Sequence, residues 1–142
     1  MLHIIINNII LIKDLITIGY NGPKLVVKTF LSFDLPKTST ILDIASGTGI
    51  VGSLLKENGF TNIDGLDATP EIMKISKPKN CYKNLINSFV SKDIRLRIED
   101  KTYDAIIMAG CLCPGHISYE SFSQIIRITK QGNSKHIIYY NI

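Results

Sequence analysis

Between Ile41 and Glu57 the chain runs from an apolar stretch, Ile41-Leu42-Asp43-Ile44-Ala45, through Ser46-Gly47-Thr48-Gly49 and directly into a helical pattern. A strand that leaves through a glycine turn into a helix cannot fold back as a hairpin. Its successor returns alongside it in parallel, through the helix as crossover. The unit recurs. The helix read over 50–57 stops at Asn58-Gly59, and Ile63–Leu66 reads as a second strand that ends at Asp67. Thr69-Pro70-Glu71 then supplies an N-cap, a proline at the first helical position and an acid in the first turn, opening a helix towards Ser76. Tyr82–Phe89 reads as a third strand and Tyr103–Ala109 as a fourth. A helix over 118–129 leads through Gly132-Asn133 to a fifth strand, His136–Tyr140. Ahead of all these, Gly22-Pro23 opens a helix with Leu25, Val26, Val27, Phe30 and Leu31 at helical spacing. Strands alternating with helices predict an α/β fold, a doubly wound, mostly parallel sheet of about five strands with helices on both faces.

The 142 residues suit one domain, and 45% hydrophobic against 20% charged residues is the composition of a globular chain. The net charge of +4 is dispersed, so it gives no specific nucleic-acid signal. Residues 1–19 are rich in Ile and Leu, but His3, Asn7, Asn8, Lys13 and Asp14 interrupt them. A membrane span needs ~20 largely apolar residues, so none is predicted, and no small-residue cleavage site follows a basic start. This segment reads as a helix or strand packed on the domain, or as an irregular gene start, ahead of a domain over 20–142. Cys81, Cys111 and Cys113 form no C-x-x-C pair; no metal site is predicted, and thiols kept reduced in a cytoplasmic setting are expected.

In a doubly wound sheet, ligands bind at the carboxyl ends of the strands where the strand order reverses. The glycine cluster Gly47-Thr48-Gly49 is placed there, followed by a helix N-terminus. Asp67 comes 18 positions after Gly49, at the end of the next strand, where an acid can accept the hydroxyls of a ribose. Two nucleoside ligands compete for this geometry. Gly47-Thr48-Gly49-Ile50-Val51-Gly52 matches the G-x-G-x-x-G dinucleotide pattern. Against that, Asp43 stands four positions before Gly47, and a carboxylate beside the loop repels a pyrophosphate. It suits S-adenosyl-L-methionine, which carries an ammonium and a sulfonium and no phosphate.

Leu42-Asp43-Ile44-Ala45-Ser46-Gly47-Thr48-Gly49 resembles motif I of the class I methyltransferases, and Gly65-Leu66-Asp67 resembles their ribose-binding motif. The segments Tyr20-Asn21-Gly22-Pro23, 52–59, 60–67, 82–86 and Gly115-His116 are similar to those of the methyltransferase-like proteins of the Williams–Beuren chromosome region. The resemblance implies a Rossmann-like fold and S-adenosyl-L-methionine as cofactor. Residue by residue, it implies Ser46, Gly47 and Gly49 at the cofactor's amino acid end with Asp43 supporting it. Asp67 falls on the ribose, Ala68 beside the adenosine, Ala109 with Gly110 beneath the methionine portion, and Tyr20 near the carboxylate. Two departures stand out. The acid that many members carry after the third strand is replaced by Asn87-Ser88. The family's C-terminal antiparallel strand pair is missing, which predicts that His136–Tyr140 is an exposed edge open to self-association.

His116 follows Pro114-Gly115 in the loop after the fourth strand. It is a weak candidate for a general base, and a capping or solvent-exposed histidine is the plainer reading. Methyl transfer is a direct displacement that needs only alignment of nucleophile and methyl group, so no catalytic residue is required. Cys111 and Cys113 read as packing residues. Lys74, Lys77, Lys79, Lys83, Arg95 and Arg97 read as solvated surface. The expected function is an S-adenosyl-L-methionine-dependent methyltransferase domain acting on an unidentified acceptor. Its rivals are a truncated, non-catalytic cofactor-binding or interaction module, motivated by the missing strands, and an NAD-linked oxidoreductase, motivated by Gly52.

Overall fold

A computed structural model describes residues 2–6, 9–13, 21–111, 117–131 and 136–140. Tyr20, Cys113, His116 and the Gly132-Asn133 turn, all singled out above, lie outside the described residues. The elements in chain order are β1 (Leu2–Ile6), β2 (Ile9–Lys13), α1 (Gly22–Leu31), β3 (Ile41–Ile44), α2 (Ile50–Glu57), β4 (Ile63–Asp67), α3 (Pro70–Ser76), β5 (Asn84–Asn87), β6 (Ala105–Ala109), α4 (Phe122–Ile128) and β7 (His136–Tyr140).

The strands form one sheet in the order β1-β2-β7-β6-β3-β4-β5, and β3 to β7 are all parallel to their neighbours among themselves. β3 is buried along its whole length, as a central strand covered on both faces must be. The pleat sorts its side chains: Ile41 faces one core, while Leu42 and Ile44 face the other. The first core joins Ile41, Ile63, Ala105, Ile107 and Ile138 to Val26, Val27 and Phe30 of α1 and to Val51 and Leu55 of α2. The second joins Leu42, Leu66, Ile106, Met108 and Ile137 to Phe122, Ile125 and Ile128 of α4. Helices therefore cover both faces, as the alternating pattern predicts.

Between β5 and β6 the chain has no regular element, yet it closes the α4 face by burying Val90, Leu96 and Tyr103. Arg127 of α4 clasps it, donating to the carbonyls of Leu96 at 3.0 Å and Ile98 at 2.8 Å.

The expectation of an exposed fifth strand is overturned. β7 is flanked by β6 on one side and by β2 on the other, with Ile9 paired to Ile137 and Ile12 to Tyr140 in parallel register. β1 then pairs antiparallel with β2, from Leu2 opposite Lys13 to Ile6 opposite Ile9. Within the Ile- and Leu-rich start of the chain, Leu2–Ile6 and Ile9–Lys13 are thus strands, and β2 covers the edge that β7 would otherwise present. Smaller corrections concern ends and caps. The third strand is confined to Asn84–Asn87, and the helix read from residue 118 begins as a 3-10 turn over Tyr119–Ser121. The Thr69 side chain makes no capping bond; its backbone N–H donates instead to Asp67.

Candidate functional site

The strand order turns at β3: β4 and β5 succeed it on one side, β6 and β7 on the other. At that point the loops leaving neighbouring carboxyl ends diverge and leave a crevice. A cavity of about 240 Å³ lies there. Ala45 lines it from the loop after β3, Asp67, Ala68 and Thr69 from the end of β4, Ser88 and Phe89 from the end of β5, and Ala109, Gly110 and Cys111 from the end of β6. Ile72 of α3 and Val90 complete an apolar side. Among the described residues the walls hold one carboxylate, Asp67, and no lysine or arginine.

Asp67 is only 8% exposed, and both its carboxylate oxygens are engaged. Oδ2 accepts the Gly47 N–H at 2.8 Å, and Oδ1 accepts the Thr69 N–H at 2.9 Å. One side chain thus fixes the glycine loop after β3 and the start of α3 relative to each other. Asn87 reinforces the arrangement, since its side-chain amide donates to the Asp67 carbonyl at 3.0 Å. The residue that replaces the expected acid after the third strand is therefore a tether for the β4 end, and its neighbour Ser88 faces the cavity.

The loop itself is bent at three left-handed residues, Ala45 (φ 57°), Gly47 (φ 51°) and Gly49 (φ 84°). Gly49 serves as the N-cap of α2 in a conformation that disfavours other residues. Ala45 adopts the same region with a Cβ in place and carries strain for it. Ser46, between them, is buried, and its Oγ has no hydrogen-bond partner among the described residues.

Asp43 lies below the cavity rather than in its walls. It is 1% exposed on the α2 face of the sheet, and its Oδ2 accepts the Tyr82 hydroxyl at 2.6 Å. Burial pushes the Asp43 carboxyl up to about 7, and the charge of Asp67 adds to this, while the Tyr82 hydroxyl and the Gly52 backbone pull it back in part. Burial, with the Asp43 charge beside it, likewise raises the Tyr82 phenol above its ordinary value, so the shared proton stays on the tyrosine.

The Tyr82 ring reaches Asp43 through a slot of three glycines. A Cβ added at Gly52 would fall 2.5 Å from the ring carbon Cζ, one at Gly65 3.1 Å from Cδ1, and one at Gly49 3.4 Å from Cε2. Gly52, which completes the dinucleotide-like pattern in the sequence, is therefore required by a protein side chain.

Of the residues singled out in the sequence, Asp67, Ala68 and Ala109 meet at the cavity, and Gly47 is bound to Asp67. Ser46, Gly49 and Asp43 do not line the cavity; the first two belong to the loop, and Asp43 lies beneath it, bound to Tyr82. Sequence reasoning did not single out Tyr82, Ile72 or Phe89. The three glycines were a readable sign that something bulky had to fit near them, but not of which residue it was.

Residues 41–132, more than half of the chain, match the methyltransferase domain family. Human methyltransferase-like protein 27 is 27% identical over 122 residues, which is 84% of this chain and 49% of that protein. The mouse EEF1A lysine methyltransferase 2 is 24% identical over 106 residues, 74% of this chain and 41% of the relative. The chain thus spans less than half the length of either relative. Among solved structures, a Methanococcus maripaludis protein assigned as an S-adenosyl-L-methionine-dependent methyltransferase superposes with a TM-score of 0.68 at 21% identity, covering 84% of this chain and 55% of that one. The crevice at the strand-order reversal, the glycine loop held by the acid of the next strand and the match over 41–132 agree: this chain belongs to the methyltransferase domain family.

Proposed function

We propose that the chain is the S-adenosyl-L-methionine-binding domain of a methyltransferase, with the cofactor in the cavity at the ends of β3 to β6. The observation that carries the reading is the engagement of the Gly47 N–H by Asp67. In a dinucleotide site the glycine-loop amides are left to the pyrophosphate. Here a carboxylate occupies that position, which disfavours an anionic ligand. Among the described residues the remaining walls offer no cation to offset phosphate charge, which favours a nucleoside with a cationic end over NAD. The filling of the Gly52 space by Tyr82 supports the same choice.

Within this reading, Asp67 faces the ribose, and the apolar side formed by Ile72, Phe89 and Val90 receives the flat purine. Ala68 lies beside the adenosine and Ala109 with Gly110 beneath the methionine portion. Ser46, Gly47 and Gly49 are assigned to the amino acid end on the sequence resemblance; the N–H of Gly47 is held by Asp67 and that of Gly49 by the Ser46 carbonyl, so the loop is fixed in shape before the cofactor binds. Asp43 acts from beneath, through the loop. Tyr20 at the carboxylate end remains part of the proposal on sequence grounds alone; His116 is only a weak candidate for a base, and no catalytic residue is assigned. The cofactor supplies a methyl group activated by its sulfonium; the chain's own task is to hold it and keep the loop rigid.

Among the described residues no helix is long and apolar enough to cross a membrane. A cytoplasmic setting belongs to the proposal on sequence grounds alone.

Isothermal titration with S-adenosyl-L-methionine and with NAD tests the reading. The expected result is saturable binding of the first and weaker or no binding of the second. Asp67→Ala is expected to lower S-adenosyl-L-methionine affinity by about 1–3 kcal/mol. Tighter binding of NAD, or an Asp67→Ala variant with unchanged affinity, overturns it.

A further inference from the structure

A groove of about 580 Å³, larger than the cavity at the strand ends, lies on the outer side of the sheet between α3 and β5. Lys74, Lys77 and Lys83 line it, with no acid among the described lining residues; Asp64 lies beside it, with its Oδ1 accepting from the Asn84 amide at 2.9 Å. All three lysines are exposed, and none is paired with an acid among the described residues. A smaller recess of about 190 Å³ continues it past Tyr82 and Lys83 to Lys56, extending the basic strip. In the sequence these lysines are indistinguishable from solvated surface. α3, the 3-10 turn over Lys77–Lys79 and β5 bring them to one groove.

The groove follows the edge of the sheet. β5 is the last strand in the order, and among the described residues no strand pairs with its far side. Lys83, just before β5, lines the groove together with Asn84 and Leu85, which point to opposite faces of the strand. The groove therefore borders the edge from the α3 side, and along that edge the Asn84 N–H is held by Asp64 Oδ1 at 3.2 Å, while β5 beyond it meets no further strand among the described residues. Its floor includes Tyr82 and Met73, an apolar base between the charged walls.

We propose that this groove docks an extended acidic segment of a partner protein, which adds to β5 as a further strand and sets its carboxylates against Lys74, Lys77 and Lys83. Main-chain pairing along the edge supplies the attachment, and the lysines select for acid. The surface is separate from the strand-end cavity and does not depend on which cofactor that cavity holds.

The test uses a fluorescein-labelled nine-residue peptide of alternating Glu and Val, read by anisotropy at low salt. Two control peptides accompany it: one with Lys for Glu, and one with the same acidic sequence but N-methylated at every second backbone nitrogen. The acidic peptide is expected to bind at least tenfold more tightly than either control. The K74E/K77E/K83E variant, with circular dichroism and melting temperature matching the parent, is expected to lose at least tenfold in affinity. Equal binding of the acidic and basic peptides overturns the charge selection, and equal binding of the N-methylated peptide overturns strand addition. A labelled oligouridylate that binds more tightly than the peptide and is lost in the triple variant assigns the groove to nucleic acid and overturns the proposal. Absence of binding by the acidic peptide does the same.

Discussion

The Tyr82 hydroxyl and the Asp43 carboxylate meet at 2.6 Å in the interior, Tyr82 having crossed from the segment before β5 to a strand two places inward in the sheet. The bond places a proton donor on the one fully buried carboxylate at the base of the glycine loop, so it favours the ionised form of Asp43. Removing the donor alone, in Tyr82→Phe, is expected to destabilise the fold by about 1–3 kcal/mol. The loss is larger at pH 8, where Asp43 is charged, than at pH 5, where it is protonated. Urea unfolding at the two pH values checks both the size and the sign; an equal loss at both places the effect elsewhere.

The native protein binds the Asp43 proton more tightly than the unfolded chain, because burial lifts the carboxyl from 3.8 to about 7. Stability contributed by this group is complete below pH 4 and declines as pH rises through 7. The decline is on the order of 2–4 kcal/mol. Asp43→Asn, which cannot ionise, is expected to flatten stability between pH 4 and 8. A profile as steep as that of the parent assigns the dependence to other groups.

Gly52→Ala places a methyl group against the Tyr82 ring. The expected cost is about 1–3 kcal/mol from overpacking. Combining it with Tyr82→Leu should recover part of that loss, and a double-mutant cycle by thermal or urea unfolding measures the coupling. Strict additivity would show that the ring does not fill the Gly52 space.

Ala45 sits at φ 57° immediately after β3. Ala45→Gly relieves the left-handed strain while giving the unfolded chain more freedom. The net expectation is a stabilisation of about 0.5–1 kcal/mol, read as a rise in melting temperature. A fall would mean that the methyl group's contacts at the cavity wall outweigh the strain.

Phe89 is 47% exposed yet lines the strand-end cavity. If its ring covers the purine, Phe89→Ala weakens S-adenosyl-L-methionine binding by about 1–3 kcal/mol while leaving the melting temperature of the ligand-free protein nearly unchanged. Calorimetry and thermal unfolding separate the two effects.

The parallel core was legible because each of its strands is marked by a local signal. β3 ends in glycines, β4 in Asp67 before a Thr-Pro start, and α2 in Asn58-Gly59, and short-range chemistry alone places all three within a residue of where they lie. What stayed hidden depends on residues distant in sequence. The apolar run over 2–13 declares that it must be covered, but only the neighbouring β7 decides that it does so as a strand. Asp67 was readable as an acid at a strand end, whereas its grip on Gly47, 20 positions earlier, arises from the register of β3 against β4. Tyr82 carried no mark of its own, because a tyrosine that fills a slot between glycines looks in sequence like any tyrosine entering a strand.

The pairing of β2 with β7 joins Ile9–Ile12 to Ile137–Tyr140, across most of the chain. Contacts that close so long a loop are slow to form, so the hairpin has no partner until the rest of the sheet has been synthesised and assembled. During translation β1 and β2 emerge before β3 to β7 and dock after them, and in that interval they are open to pairing with other chains.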